Sequence, residues 1–97
     1  MKTSVFRTAA AADVEEAHNW YEGQRRGLGE EFLAAVQAAL EQVESNPQLY
    51  AVLYRDTRRV LLRRFPYGLY YRVLDDRVIV VACFHAKRDP RVWRARK

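Results

Sequence analysis

Apolar residues between positions 30 and 45 recur at i, i+3, i+4 and i+7, the spacing of one face of an α-helix. The pair Asn46-Pro47 ends this segment, because a proline disfavours the helical conformation in the residue before it. The pattern predicts an amphipathic helix whose buried face consists of Phe32, Ala35, Val36, Ala39, Leu40 and Val43.

A second helical pattern precedes this one, from Ala9 to Arg26, in a stretch rich in alanine and glutamate that contains no proline. The segment Gly27-Leu28-Gly29 separates the two helices, where Gly27 suits a left-handed C-cap and Gly29 suits the start of the next helix. So short a connection predicts an antiparallel helical hairpin with one shared apolar face. The first helix contributes Ala10, Val14, Ala17 and Tyr21 to that face.

The remaining segments have the composition of β-strands. The segment Thr3–Arg7 predicts a short first strand, and Val78–Phe84 is a nearly unbroken β-branched run typical of a strand buried on both faces. The order strand, helix, helix, strand, strand, strand predicts one α+β domain over residues 1–97, with the hairpin packed on a small, mainly antiparallel sheet. The other two strands are predicted at Arg58–Phe65 and Leu69–Leu74, joined by the turn Pro66-Tyr67-Gly68 and followed by the turn Asp75-Asp76.

Charge is unevenly divided along the chain. Residues 1–54 hold four basic and eight acidic side chains, a net charge of −4, whereas residues 55–97 hold thirteen basic and four acidic ones, a net charge of +9. Such asymmetry favours a partner that is anionic: a nucleic acid, an acidic protein segment or an anionic surface.

Several classes of site and location find no support in the residue pattern. A lone cysteine, Cys83, excludes an internal disulfide framework and a cysteine-based zinc site, and the two histidines lie in unrelated elements. We therefore expect no metal and no cofactor. The chain shows no signal peptide and no apolar run long enough to cross a bilayer, so a cytoplasmic location without membrane association is expected.

His85 directly follows the last predicted strand, in the segment Phe84-His85-Ala86-Lys87-Arg88. A histidine beside two cations has the groups needed for acid–base chemistry on a phosphodiester, with the cations stabilising the developing charge. A histidine hydrogen-bonded at a sheet edge fits the same residues at least as well. Both interpretations stay open.

Four arginines crowd the strand predicted after the helices, and Arg72 follows on its neighbour. Alternation along that strand places Arg58 and Arg64 on one face and Arg59 and Arg63 on the other. Their guanidinium groups suit the capture of phosphate or carboxylate, or else they protect an exposed strand edge against aggregation.

Several short motifs occur in a fixed order along almost the whole chain. They are Asp13-Val14-Glu15-Glu16-Ala17, Trp20-Tyr21-Glu22, Gly27-Leu28-Gly29, Asn46-Pro47, Arg64-Phe65-Pro66-Tyr67, Tyr70-Tyr71-Arg72-Val73, and His85-Ala86-Lys87-Arg88-Asp89-Pro90 with Trp93. Taken together and in order, these motifs resemble the RelE/ParE family, toxins of bacterial type II toxin–antitoxin modules. The resemblance implies the same order of elements and an antitoxin, encoded beside the toxin, whose acidic amphipathic segment wraps the basic sheet.

The resemblance leaves three functions open. The first expectation is a ParE-like growth inhibitor acting on DNA gyrase and serving plasmid stabilisation. The second is a RelE-like, ribosome-dependent endoribonuclease acting on messenger RNA, although two nuclease positions fall on Gly68 and Trp93, and no carboxylate partner for the histidine is evident. The third is a module without toxicity that acts as corepressor with its antitoxin. A nuclease would use His85, Arg64, Lys87 and Arg88 as catalytic residues.

Contacts with protein partners are expected from the arginines of the sheet and from the basic tail. Most aromatic residues are expected in the core, whereas Trp93, in the tail, is the one least committed to it. The predicted partner-binding residues are Arg58, Arg59, Arg63, Arg72, Arg91 and Trp93.

Overall fold

The computed structural model describes residues 3–96 and confirms the α+β fold, with two short elements that the sequence analysis did not include. One is a strand between the helices and the predicted sheet, and the other is a helix in the basic tail. The elements are β1 (Thr3–Phe6), α1 (Thr8–Gln24), α2 (Leu28–Ser45), β2 (Val52–Tyr54), β3 (Thr57–Leu61), β4 (Tyr67–Leu74), β5 (Arg77–His85) and α3 (Pro90–Arg94).

The five strands form one sheet in the order β1-β5-β4-β3-β2. The first strand runs parallel to β5, and the other neighbours are antiparallel, as predicted. The register places Tyr67 opposite His85 and Gly68 opposite Phe84. The end of β5 therefore lies beside the start of β4, with β2 at the far edge of the sheet.

Two apolar layers cover the two faces of the sheet. The first lies under the helical hairpin, where Phe32 and Val43 of α2 pack with Leu69, Val78 and Val80. The second lies on the opposite face, and because side chains alternate along β5, this strand is buried on both faces, as expected. The second layer consists of Tyr70, Ile79, Val81, Ala82, Phe84 and Trp93, with Tyr54 packed against it.

The connection between the two helices depends on both of its glycines, but for different reasons. Gly27 has a φ of +88°, the left-handed conformation predicted for it, and directly precedes α2. The expectation that Gly29 starts the second helix is wrong, since α2 begins at Leu28 and Gly29 is buried in its first turn. A Cβ at Gly29 would lie 2.7 Å from the Cδ2 atom of His18 and 2.9 Å from the Oε1 atom of Glu22, so the position requires glycine for close packing.

The predicted strand from Arg58 to Phe65 is too long. It ends at Leu61, and the chain turns through Arg64, whose φ of +71° is incompatible with a strand. The sequence analysis placed Arg58 and Arg64 on one face of this strand, and Arg59 and Arg63 on the other. This prediction is wrong, because Arg63 and Arg64 lie outside the strand. The predicted turn at Pro66-Tyr67-Gly68 is also too long, because β4 starts at Tyr67, where it pairs with the end of β5.

Among residues 3–96, no helix is long and apolar enough to cross a membrane.

Candidate functional site

A pocket of about 420 Å³ lies where α1 crosses the start of β4 and the end of β5. We call it the His85 pocket. Its wall combines an imidazole, a guanidinium, two carboxylates and aromatic rings, which is unusual for a structural crevice. Both carboxylates come from α1. Its polar and aromatic lining includes Asp13, Glu16, Trp20, Tyr67, His85 and Arg88.

The imidazole of His85 is held from two sides. Its ring meets the ring of Tyr67 edge-on, with the centroids 5.7 Å apart. Its Nδ1 atom accepts a hydrogen bond of 3.1 Å from the backbone N–H of Lys87. In the neutral imidazole, this contact places the proton on Nε2, so the ring can donate a proton or a hydrogen bond from that atom.

The two carboxylates of the pocket are in different situations. Asp13 is engaged, because it accepts a hydrogen bond of 3.0 Å from the backbone N–H of Cys83 and forms an ion pair with Arg96. Glu16 is exposed on α1, and its negative charge adds to the effect of burial that raises the pKa of Tyr67. Glu16 shares the pocket with His85 and is the candidate for the carboxylate partner that the sequence analysis did not place.

The structure brings two of the four predicted catalytic residues into the pocket. His85 ends β5 and Arg88 lies in the turn after it, where the Arg88 guanidinium is 4.1 Å from the centroid of the Phe84 ring. Lys87, in the same turn, and Arg64 lie outside the pocket lining. Its Nη2 atom donates a 2.7 Å hydrogen bond to Glu31 of α2, and this contact, together with Arg25, lowers the pKa of Glu31.

A second group of cations covers the aromatic layer on the face of the sheet opposite the helical hairpin. Each of the rings Tyr54, Tyr70 and Phe84 lies within 4 to 6 Å of at least one guanidinium carbon. We call this surface the arginine–aromatic face. Cation–π contacts hold the charged groups over an apolar layer while leaving them open to a partner. The arginines are Arg55 and Arg94 over Tyr54, Arg59 over Tyr70, and Arg88 and Arg96 over Phe84.

The arginines predicted to bind partners do not form one cluster. Arg58 donates to the carbonyl oxygen of Tyr50 at 2.6 Å and so anchors the loop before β2. Arg72 is paired with Asp56, and Arg91 is paired with Asp89, which lowers the pKa of that carboxyl. Arg59 belongs to the arginine–aromatic face, and Arg63 is exposed in the turn before β4.

The expectation that Trp93 is the aromatic residue least committed to the core is wrong. Trp93 is only 4% exposed, and its ring stacks on that of Tyr70 with the centroids 4.6 Å apart. Its burial follows from α3, which Asp89 caps by accepting a hydrogen bond from the backbone N–H of Arg91. The helix turns Trp93 inward while Arg94 stays exposed.

Sequence reasoning missed Arg55, Arg94 and Arg96 as members of the basic face. The short strand β2 and the helix α3, which place them there, are too brief for their periodicity to be recognised. The run Arg94-Ala95-Arg96 was the one available signal. Within residues 3–96, no group of three or more histidine, cysteine or acidic side chains is arranged to hold a metal ion.

Comparison with known proteins gives a family and a fold. A family model described as "ParE toxin of type II toxin-antitoxin system, parDE" matches residues 5–90. A solved structure titled "Chromosomal ParDE TA system from P. aeruginosa" superposes with a TM-score of 0.65 at 23% sequence identity, covering 88% of this chain and 96% of that chain. At this identity the likeness shows the fold. No curated protein sequence matches the chain.

Proposed function

The chain belongs to the ParE toxin family of type II toxin–antitoxin systems, and from this membership we propose that it inhibits DNA gyrase and is neutralised by an acidic antitoxin. The toxin acts as a binder and not as an enzyme. Its working compartment is the cytoplasm, where gyrase and DNA are located. Loss of the antitoxin would then arrest growth, which is the basis of plasmid stabilisation.

The observation that carries this choice of target is the burial of Trp93. In the related nucleases a tyrosine near the C-terminus falls close to this position, and its phenol can exchange a proton. Here the residue is an indole, which only donates, and it is enclosed against Tyr70. A buried indole cannot replace the phenol of a nuclease in proton transfer, and this supports a toxin that acts by binding its target instead of by cleaving a phosphodiester.

The second nuclease position points the same way. The nucleases carry an arginine where this chain has Gly68, which is buried on β4. A Cβ built there would lie 2.9 Å from the Cδ atom of Arg59. An arginine therefore could not enter this position unless Arg59 moved.

Family membership implies an antitoxin partner, and the charge distribution supports an acidic one. The excess of basic residues after position 54 gives this half a net charge of +9. Part of that charge forms the arginine–aromatic face, which the helical hairpin does not cover. An acidic segment lying on this face would neutralise it and block access to the target.

A supercoiling assay tests the proposal directly. Purified chain added to gyrase and relaxed plasmid should stop supercoiling, and antitoxin added first should prevent the effect. The variant His85→Ala should inhibit as strongly as the wild type, because no proton transfer is involved. Full gyrase activity in the presence of protein that arrests growth in cells would contradict the proposal.

One observation favours a second candidate, a ribosome-dependent endoribonuclease. Glu16 and His85 line one pocket, and a carboxylate beside an imidazole is an arrangement suited to general acid–base catalysis. In this case Lys87 and Arg88 would hold the phosphate. Mapping messenger RNA 5′ ends in a translating extract tests it: new cuts that disappear with His85→Ala and Glu16→Gln would establish the nuclease, and intact message would exclude it.

A further inference from the structure

A second pocket, of about 310 Å³, lies between the turn that joins β2 to β3 and the C-terminal end of α3. We call it the Arg55–Arg94 pocket. Four guanidinium groups and a single carboxylate line it, so its charge is strongly positive. Its charged and aromatic lining is Tyr54, Arg55, Asp56, Arg72, Arg94 and Arg96.

Two of the four guanidinium groups are already engaged within the protein. Arg72 donates from Nε to Asp56 at 3.2 Å, and Arg96 donates from Nη2 to Asp13 at 3.2 Å. These contacts fix part of the wall. They also leave Asp56 and Asp13 neutralised, so neither carboxylate is free to balance the remaining positive charge.

The other two guanidinium groups form no ion pair among residues 3–96, although Arg94 contributes to the lowered pKa of Asp89, a carboxylate that is paired with Arg91. The carbon atoms of the Arg55 and Arg94 guanidinium groups lie 5.2 and 5.0 Å from the centroid of the Tyr54 ring. Both like charges thus lie against one ring and line one pocket, and their repulsion is relieved when an anion lies between them. An oxyanion with two acceptor oxygens matches a pair of guanidinium forks.

The surroundings favour a protein segment as the source of that anion. The strand β2 is the outer strand of the sheet, so its outer edge can lie against an extended chain. The two residues before Tyr54 are exposed and apolar, Val52 at 47% and Leu53 at 39%. A segment that carries apolar residues beside an acidic one would cover both features.

A nucleic acid fits this surface less well. Single strands bind through a basic track and through bases stacked on exposed rings. Here Tyr70 and Phe84 are each 1% exposed and Trp93 is 4% exposed, and the ring of Tyr54, which is half-buried, already contacts Arg55 and Arg94. Arg55 and Arg94 instead line a single concave pocket, which suits one inserted carboxylate.

We propose that the Arg55–Arg94 pocket binds a glutamate or aspartate side chain from a segment of the antitoxin that lies along the edge of β2. This proposal rests on the antitoxin partnership above and identifies the place and chemistry of one contact. The two guanidinium groups hold the carboxylate, and Tyr54 supports both. Val52 and Leu53 receive the apolar neighbours of the acidic residue.

The test compares two double variants that each remove two positive charges. Arg55→Gln with Arg94→Gln alters the pocket, whereas Arg7→Gln with Arg26→Gln alters exposed arginines that flank the two ends of α1. The probe is the protein encoded beside the toxin gene, and its dissociation constant is measured by titration calorimetry. The pocket variant should bind at least about thirtyfold more weakly than the wild type, and the control should change by no more than about threefold.

Two further measurements keep the result specific. Thermal melting should show that both double variants fold, since the substituted side chains are exposed. Reversal of charge at Arg94→Glu should be rescued by one acidic-to-lysine substitution in the antitoxin, and this identifies the inserted carboxylate. Equal affinity of the pocket variant and the control would overturn the proposal.

A further experiment tests whether the anion bound by the pocket is a nucleic-acid phosphate instead of a carboxylate of the antitoxin. If a short DNA duplex binds the wild type, fails to bind the pocket variant, and the antitoxin binds both equally, the pocket serves phosphates and the proposal is wrong. The gyrase assay without antitoxin reports the proposed function independently. If the pocket variant loses antitoxin binding and still inhibits gyrase fully, both proposals are supported. If the pocket variant loses antitoxin binding and the wild type does not inhibit gyrase, only the proposed target is wrong.

Discussion

Asp13 and Arg96 lie 83 residues apart in the sequence and form an ion pair that joins α1 to the end of the chain. The Asp13 carboxylate also accepts the backbone N–H of Cys83 at 3.0 Å. The pairing of β5 with β1 ends at Val80, so the N–H of Cys83 has no partner on β1. The Asp13 side chain accepts this N–H in place of a neighbouring strand, and through Arg96 it also fixes the basic tail.

Asp13→Ala should lower the free energy of unfolding by about 2–4 kcal/mol, because it leaves a backbone N–H and a partly buried guanidinium without their acceptor. Asp13→Asn should recover part of the loss, since an amide oxygen still accepts the N–H of Cys83. Urea denaturation measures both. Glu15→Ala, an exposed position on the same helix, is the control and should change stability by less than about 0.5 kcal/mol. Equal stability of Asp13→Ala and the control would contradict the structural role.

Two glycines of the helical hairpin should respond in opposite directions to alanine. Gly29→Ala should destabilise by about 1–2 kcal/mol, because its Cβ forces aside Glu22, whose carboxylate accepts the N–H groups of Gly27 and Gly29. Gly23→Ala should stabilise by up to about 1 kcal/mol, because no atom lies within 4 Å of its new Cβ. The measurement is the midpoint of urea denaturation of each variant. Midpoints that shift in the same direction from the wild type would contradict the prediction.

The strong periodicities of the sequence predicted the main elements and the hairpin. The helix around Phe32 and the strand Val78–Phe84 are long, and the spacing of apolar residues within each one indicates which side chains are buried. The local sequence is therefore enough to predict them. Trp93 was assigned wrongly because its environment is created by Tyr70, a residue distant in sequence. The proximity of Glu16 and His85 likewise depends on how α1 packs across β5, which one sequence does not fix.

Acid should weaken the fold through Glu22. The backbone N–H groups of Gly27 and Gly29 lower its pKa in the folded state below the ordinary value of 4.5. A lowered folded-state pKa adds stability above the unfolded-state value, and that stability is lost as the pH falls through the folded-state pKa. Unfolding measured between about pH 6 and pH 2 should therefore show a steeper loss of stability below about pH 4.5 in the wild type than in Glu22→Gln. Parallel curves would exclude this contribution.

Binding of the antitoxin should weaken as salt is added. The half of the chain after residue 54 has a net charge of +9, and exposed charges are screened more strongly at higher ionic strength. Raising the salt from about 0.1 M to about 0.5 M should increase the dissociation constant by about tenfold or more. The measurement is calorimetry at several salt concentrations, and a constant affinity across the series would show that the contact does not depend on charge.

Substitutions at Trp93 should separate a core residue from a partner contact. Trp93→Ala should cost about 3–5 kcal/mol of unfolding free energy, because it empties the site between Tyr54 and Tyr70. This variant could fail to fold, so the decisive one is Trp93→Phe, which keeps an aromatic ring and should cost about 1–2 kcal/mol. Val92→Ala, on the exposed side of the same helix, is the control.

If Trp93 acts only by supporting α3, the folded Trp93→Phe protein should bind the antitoxin within about threefold of the wild type, because Arg94 keeps its place over Tyr54. Denaturation and calorimetry on the same samples separate the two quantities. Weaker antitoxin binding at unchanged stability would instead make Trp93 a direct contact, as the sequence first suggested, and would require α3 to open on binding. Its enclosure against Tyr70 argues for the supporting role.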